Sequence, residues 1–137
     1  MRRFGTTICA ILATFVASAD ALSDSASELR DPAYSISMVQ LIVDPKHYEG
    51  KRVEVVGYLR QVVNPTLFLN RISADTRDFA SSILLVDPSK EWEMSSVCGD
   101  KYVKIVGRVM LSREAFELAN IEKVEDAKLV EPCWEAK

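Results

Sequence analysis

The sequence predicts a mainly β protein, a five-stranded Greek-key barrel that follows a cleaved signal peptide and a short N-terminal helix. Two similar segments carry this prediction. GKRVEVVGYL (Gly50–Leu59) and DKYVKIVGRV (Asp100–Val109) align without a gap, and each alternates apolar residues around an internal glycine. Such alternation is typical of half-buried strands, and further short strand-like segments accompany these two.

The N-terminal segment reads as a secretory signal. Arg2 and Arg3 make the N-terminus basic, Phe4–Ala17 is apolar or small, and Ala19-Asp20-Ala21 has the small-residue spacing that a signal peptidase recognises. The apolar run of roughly 14 residues is shorter than the ~20 that cross a bilayer. We therefore expect cleavage after Ala21, a periplasmic or secreted location, and no stable membrane span afterwards; an uncleaved anchor is the alternative.

The remaining chain suits one domain with a modest core. Residues 22–36 are rich in Ser, Asp and Glu and are expected to form a flexible leader; residues 37–134 form the domain and 135–137 a tail. Removal of the signal moves the net charge from −3 to −4. This acidity gives no general attraction to nucleic acid or anionic lipid.

The elements follow from local signals. Ser37 can cap a two-turn helix over Ser37–Val43, which Asp44-Pro45 ends. A second short helix is expected over Lys90–Val97, and Arg71–Ala80 reads as a polar loop. Five strands are predicted: Lys51–Gln61, Thr66–Asn70, Ser82–Val86, Lys101–Met110 and Ala115–Val124. The last is ambiguous, because the charged residues of 113–130 also favour a helix.

Glycine weakens a strand interior because no side chain packs there. Gly57 and Gly107 therefore indicate a geometric need, and a long strand that bends within a small closed barrel has that need. In a five-stranded Greek-key barrel the first and fourth strands are neighbours, which predicts that Gly57 and Gly107 lie close together. Gene duplication is the alternative, although the flanking segments do not match.

Cysteine usage predicts a structural disulfide. Cys98 and Cys133 remain after signal removal, and an even number of cysteines in an exported chain usually means a bridge. Cys98 precedes the fourth predicted strand and Cys133 follows the fifth, so an antiparallel hairpin would bring them together. A zinc site is disfavoured because His47 is the only histidine.

The chain resembles a known group. Met38–Leu59, with an aliphatic helix, Asp-Pro, an aromatic and GKRVEVVGYL, is similar to the entry of OB-fold domains in small exported bacterial proteins; DKYVKIVGRV and FELANIEKV look like their fourth and fifth strands. The resemblance covers roughly Met38–Val130. It implies an OB-fold barrel, and it implies no activity because many members of the group have none assigned.

Catalytic signatures are absent from the sequence. It has no Gly-x-Ser-x-Gly, no phosphate-binding glycine loop and no His-Glu-x-x-His. Any histidine-dependent catalysis would rest on His47, which lies in a predicted exposed turn. We expect no enzymatic activity, no cofactor and no metal.

A binding role is the leading expectation. The outward face of the first strands offers Tyr58, Arg60, Phe68 and Arg71 as a candidate binding face. We expect a non-enzymatic binding module for a peptide, glycan or small ligand. An envelope adaptor that docks onto another protein is the alternative. A nucleic-acid-binding domain is a third reading, which the net charge and the thin set of basic and aromatic residues disfavour.

The signal-peptide hypothesis makes a direct prediction. Mass spectrometry of the exported protein should give a mature N-terminus at Leu22. A soluble, exported form that retains Met1 would contradict it.

Overall fold

The computed structural model describes residues 31–86, 91–112 and 115–136, and for Glu91 and Trp92 it describes the backbone alone. The predicted signal peptide and most of the predicted leader lie outside these residues. Strands are β1 Tyr34–Ile36, β2 Arg52–Gln61, β3 Pro65–Phe68, β4 Ser82–Val86, β5 Lys101–Leu111, β6 Phe116–Asp126 and β7 Glu131–Glu135. Helices are α1 Met38–Val43, α2 Arg71–Thr76 and α3 Glu91–Cys98, with 3-10 turns at Pro45–Tyr48 and Phe79–Ser81.

Five strands close a barrel in the order β2-β3-β4-β6-β5, and β5 pairs again with β2. The β4–β6 pair is parallel and the other four pairs are antiparallel. This arrangement confirms the predicted mainly β, OB-like barrel. It also decides the ambiguous segment, because Phe116–Asp126 is a strand that pairs with β5 along its length.

The core lies inside the barrel, where alternate residues of each strand point. Val53, Val55 and Leu59 of β2 are buried, as are Val103 and Ile105 of β5. Burial of such side chains is the main stabilising term, at roughly 1.5–3 kcal/mol for each. The helices add side chains to the same cluster: Met38 and Leu41 from α1, and Met94 and Cys98 from α3.

The repeated segments are neighbours, but their glycines are not. β2 and β5 pair about a centre at Val55 and Ile105, with Gly57 opposite Val103 and Gly107 opposite Val53. The glycines therefore lie four register positions apart, roughly 13 Å along the ladder at strand spacing. The prediction that they lie close together is wrong: antiparallel pairing places matching residues at opposite ends of the shared ladder.

Each glycine allows a close approach at its own end of that ladder. A Cβ at Gly57 would lie 2.7 Å from Leu67 Cγ and 2.8 Å from the carbonyl oxygen of Phe68, both on β3. Gly107 lies where the β5–β6 register shifts, and a Cβ there would lie 3.0 Å from Ile121 Cδ1. The bend expected at each glycine stays a prediction, and the close packing partner of each was not predicted.

Three segments differ from the prediction. Tyr34–Ile36, assigned to the flexible leader, forms β1 and pairs in parallel with β2. Arg71–Ala80, predicted as a loop, contains α2, because Asn70 caps that helix by accepting a 2.9 Å hydrogen bond from the Ser73 amide. Glu131–Glu135 forms β7 on β6, so the sheet reaches into the predicted tail.

The Cys98 and Cys133 sulfur atoms lie at bonding distance, 2.10 Å apart, with their Cα atoms separated by 5.8 Å. The bridge ties the end of α3 to β7 and closes a loop with a sequence separation of 35. Cross-linking a loop of this length stabilises a domain by about 3–4 kcal/mol in the chain-entropy model. The predicted pairing is therefore present in the fold.

Gly57 offers a direct test of barrel closure. Gly57→Ala should destabilise by about 1–3 kcal/mol, because the new methyl group would meet a backbone oxygen that cannot move freely. Val56→Thr is the matched control: Val56 is 47% exposed on the same strand, and the change should cost less than about 0.5 kcal/mol. Urea unfolding measures both, and equal effects would contradict the close approach.

Candidate functional site

The predicted binding face is assembled on one surface, but it is covered. Tyr58 and Phe68 are paired across β2 and β3 on the outer side of the barrel. α2 packs over them, so Phe68 is fully buried and forms a separate cluster with Tyr58 and Ala74. Phe68 was correctly predicted to point outward, but neither ring is free to stack on a ligand.

The two predicted arginines flank this cluster. The Arg60 guanidinium donates to Asp75 Oδ1 at 2.6 Å and to Asp100 Oδ1 at 2.9 Å, and it lies 5.4 Å from the Tyr58 ring centre. These hydrogen bonds to Asp75 and Asp100 raise the pKa of Arg60. Arg71 Nε is 3.7 Å from Asp75 Oδ2, and its side chain is largely exposed. The positive charge of Arg60 is thus compensated by the carboxylates of Asp75 and Asp100.

An open cleft lies beside this covered area. It has a volume of about 360 Å³ and uses the outer side of β3 and β4 as its floor. The β2–β3 loop, the Phe79 turn and the start of β6 form its walls. Its lining residues are Val62, Val63, Asn64, Thr66, Phe79, Ser82, Leu84, Ala115 and Phe116.

The lining of the cleft is uncharged. Its hydroxyl groups bond within the protein: Thr66 donates to the Asn64 carbonyl oxygen at 3.0 Å, and Ser82 donates to that of Phe79 at 2.9 Å. Val63 and Phe79 are 84% and 57% exposed. Apolar groups held in a concave surface are typical of a binding site, so this cleft is the candidate functional site.

Sequence reasoning missed these residues because their exposure depends on tertiary structure. One local signal existed: Val62 and Val63 are adjacent apolar residues directly before the Asn64-Pro65 turn. An apolar pair at a turn either packs under a neighbour or forms an exposed patch. Here Val62 packs against the Phe68 cluster, whereas Val63 faces solvent.

A second recess, of about 400 Å³, lies at the disulfide and is lined by residues of α3 and β7, including Val97, Cys133 and Trp134. It is more open to solvent than the cleft, and Glu93 and Glu135 contribute to its wall. It therefore holds an apolar group less well.

Several charged residues elsewhere on the barrel pair with one another. Lys104 Nζ lies 2.6 Å from Glu125 Oε2 and 3.7 Å from Glu54 Oε2, and Lys123 also contacts Glu125. The hydrogen bonds from Lys104 and Lys123 lower the pKa of Glu125. These ion pairs join β2, β5 and β6, so the charges of Glu54, Lys104, Lys123 and Glu125 are compensated within the protein.

His47 is exposed in the Pro45–Tyr48 turn, with its ring centre 5.0 Å from that of Tyr48. Within residues 31–86, 91–112 and 115–136 no three potential metal-ligating side chains converge. No helix in the same ranges has the length and apolarity needed to span a bilayer.

Comparison with protein-family models, with curated proteins and with solved structures finds no match to this chain.

Burial of Phe68 can be tested by truncation. Phe68→Ala should destabilise the protein by about 3–5 kcal/mol, because it leaves a cavity between the sheet and α2. Phe79→Ala is the control: the Phe79 ring centre lies 5.9 Å from that of Phe68, but the residue is mostly exposed and should cost far less. Thermal or urea unfolding measures the difference. Equal, small effects would mean that Phe68 is exposed.

Proposed function

We propose that the protein is a non-enzymatic binding module that holds an uncharged, apolar group in the cleft between the β2–β3 loop and the start of β6. One observation carries the proposal: this concave surface exposes Val63 and Phe79 and has no charged residue in its lining. Solvent-exposed apolar side chains in such a cleft gain stability when a ligand removes them from water.

The geometry also ranks the alternatives. Single-stranded nucleic acid needs stacking aromatics and free cations, but Tyr58 and Phe68 lie under α2, and Arg60 is paired with two carboxylates. An envelope adaptor would use an exposed apolar surface, and the cleft would serve for that as well. The envelope-adaptor hypothesis therefore differs from the binding-module hypothesis only in the size of the molecule that is bound.

A periplasmic or secreted location belongs to the same proposal. It is supported by the N-terminal sequence pattern and by the Cys98–Cys133 bridge, since structural disulfides persist in oxidising compartments. A small disulfide-bonded domain with an exposed apolar cleft is consistent with binding outside the cytoplasm.

The proposal can be tested with a defined uncharged probe. N-acetyl-phenylalanine amide, titrated into ¹⁵N-labelled protein, should give saturable amide shifts confined to residues 62–66, 79–84 and 115–116. Val63→Asp should weaken binding about tenfold, because it places a charge against an apolar group. Leu129→Asp is the control, since Leu129 is 66% exposed in the turn before β7.

Shifts that are spread over the surface, or that do not saturate, would contradict the proposal. Equal binding by the two variants would place the ligand elsewhere. Hydrolysis or modification of any probe would contradict the non-enzymatic part.

A further inference from the structure

Beside the cleft lies a carboxylate that has no cationic partner among the residues the structure describes. Glu117 is the second residue of β6 and directly follows Phe116, which lines the cleft. Its register partners are Leu84 of β4 and Met110 of β5. Leu85, Val109 and Leu118 point into the core. Because neighbouring residues of a strand point to opposite faces, Leu84, Met110 and Glu117 lie on the outer side of the sheet.

The other carboxylates that are not fully exposed all have a cationic partner. Among the described residues, Glu54, Glu122, Glu125 and Asp126 each pair with a lysine or arginine. Glu117 is half-buried, and no ion pair joins it to any described residue. A carboxylate between two apolar side chains, with part of its water removed, favours a cation more strongly than an exposed one does.

Two basic side chains on this outer surface are bound within the protein. Arg108, two residues before Met110 on β5, donates to the carbonyl oxygen of Gly50. Arg60, whose register partner Thr66 forms part of the cleft floor, is held by Asp75 and Asp100. The lining of the cleft is uncharged, and the half-buried Glu117 at its edge has no cationic partner among the described residues.

We infer that the ligand of the cleft is a peptide segment of a partner protein in which a lysine or arginine lies near an apolar side chain. The apolar side chain would enter the cleft and the cation would pair with Glu117. Adjacent strands lie about 4.8 Å apart, and alternate residues of an extended chain about 7 Å apart, so both contacts are within reach of neighbouring residues. This inference rests on the proposed function.

A peptide fits the cleft better than a small molecule does. Sites for small molecules typically enclose most of the ligand surface, whereas this cleft is open to solvent and formed by loops and strand surface. An open cleft can instead accept one or two side chains of a longer chain that continues over the surface.

The test uses three acetylated, amidated peptides that differ only in charge: Lys-Ala-Phe-Ala-Lys, Gln-Ala-Phe-Ala-Gln and Glu-Ala-Phe-Ala-Glu. Calorimetry on the intact protein should give an affinity about three- to tenfold higher for the lysine peptide than for the glutamine peptide, and the lowest for the glutamate peptide. The preference should fall at about 1 M salt, where the Debye length is about 3 Å.

Variants assign the preference to one side chain. Glu117→Gln should make the lysine and glutamine peptides equivalent, while the amide shifts caused by the glutamine peptide stay in the cleft. Glu131→Gln is the matched control: it removes the same charge from an exposed position at the start of β7 and should keep the preference.

The outcomes separate this inference from the function on which it rests. Equal affinity of the lysine and glutamine peptides, or a lysine preference that survives Glu117→Gln, would overturn the inference and leave the binding module standing. Binding of none of the peptides would overturn both. Phenethylamine is a fourth probe: binding as tight as that of the lysine peptide would overturn the assignment to a peptide.

Discussion

The structure depends on the antiparallel ladder between β2 and β5, because this pairing closes the barrel. β2 pairs with β5 from Arg52 to Leu59 on one edge and with β3 from Tyr58 to Gln61 on the other. At Gly57, β3 approaches within a distance that leaves no room for a side chain. Gly107 lies opposite the irregular part of β6. The repeated segment is thus a local two-fold relation about Val55 and Ile105, in which each strand carries its glycine at the opposite end.

The irregularity in β6 has a structural consequence of its own. Val106 and Arg108 of β5 pair with Lys123 and Ala119, so β6 carries extra residues opposite Gly107, and Asn120 there adopts a positive φ of 49°. Asparagine tolerates this conformation better than most residues. Before the bulge β6 pairs with β4, and after it with β7. The bulge therefore lets one strand both close the barrel and carry the disulfide-linked β7.

The outer surface is divided by α2. Where this helix packs, it buries the aromatic side chains of β2 and β3 and uses Arg60 to hold its own Asp75. Where the helix ends, Ser82 and Leu84 stay partly exposed on the cleft floor, although Thr66 is buried. The proposed binding role thus belongs to the part of the face that the helix leaves uncovered. Its ligand preference would depend on Glu117, the carboxylate at the edge of that part.

The sequence alone determined the strands β2, β3, β4 and β5, the α1 cap and the cysteine pair, because these depend on residues that are neighbours in the chain or on compartment chemistry. Alternation around Val53, Val55 and Ile105 defines a strand in any context, and Ser37 caps α1 through Gln40 within a single turn. Tertiary structure alone decided the register of β2 on β5, which separates Gly57 from Gly107. It also decided that α2 covers Phe68, and that Glu117 lies beside an uncharged cleft with no cationic partner among the described residues. Those features depend on contacts between residues that are distant in the sequence, and the spacing of residues along the chain does not predict such contacts.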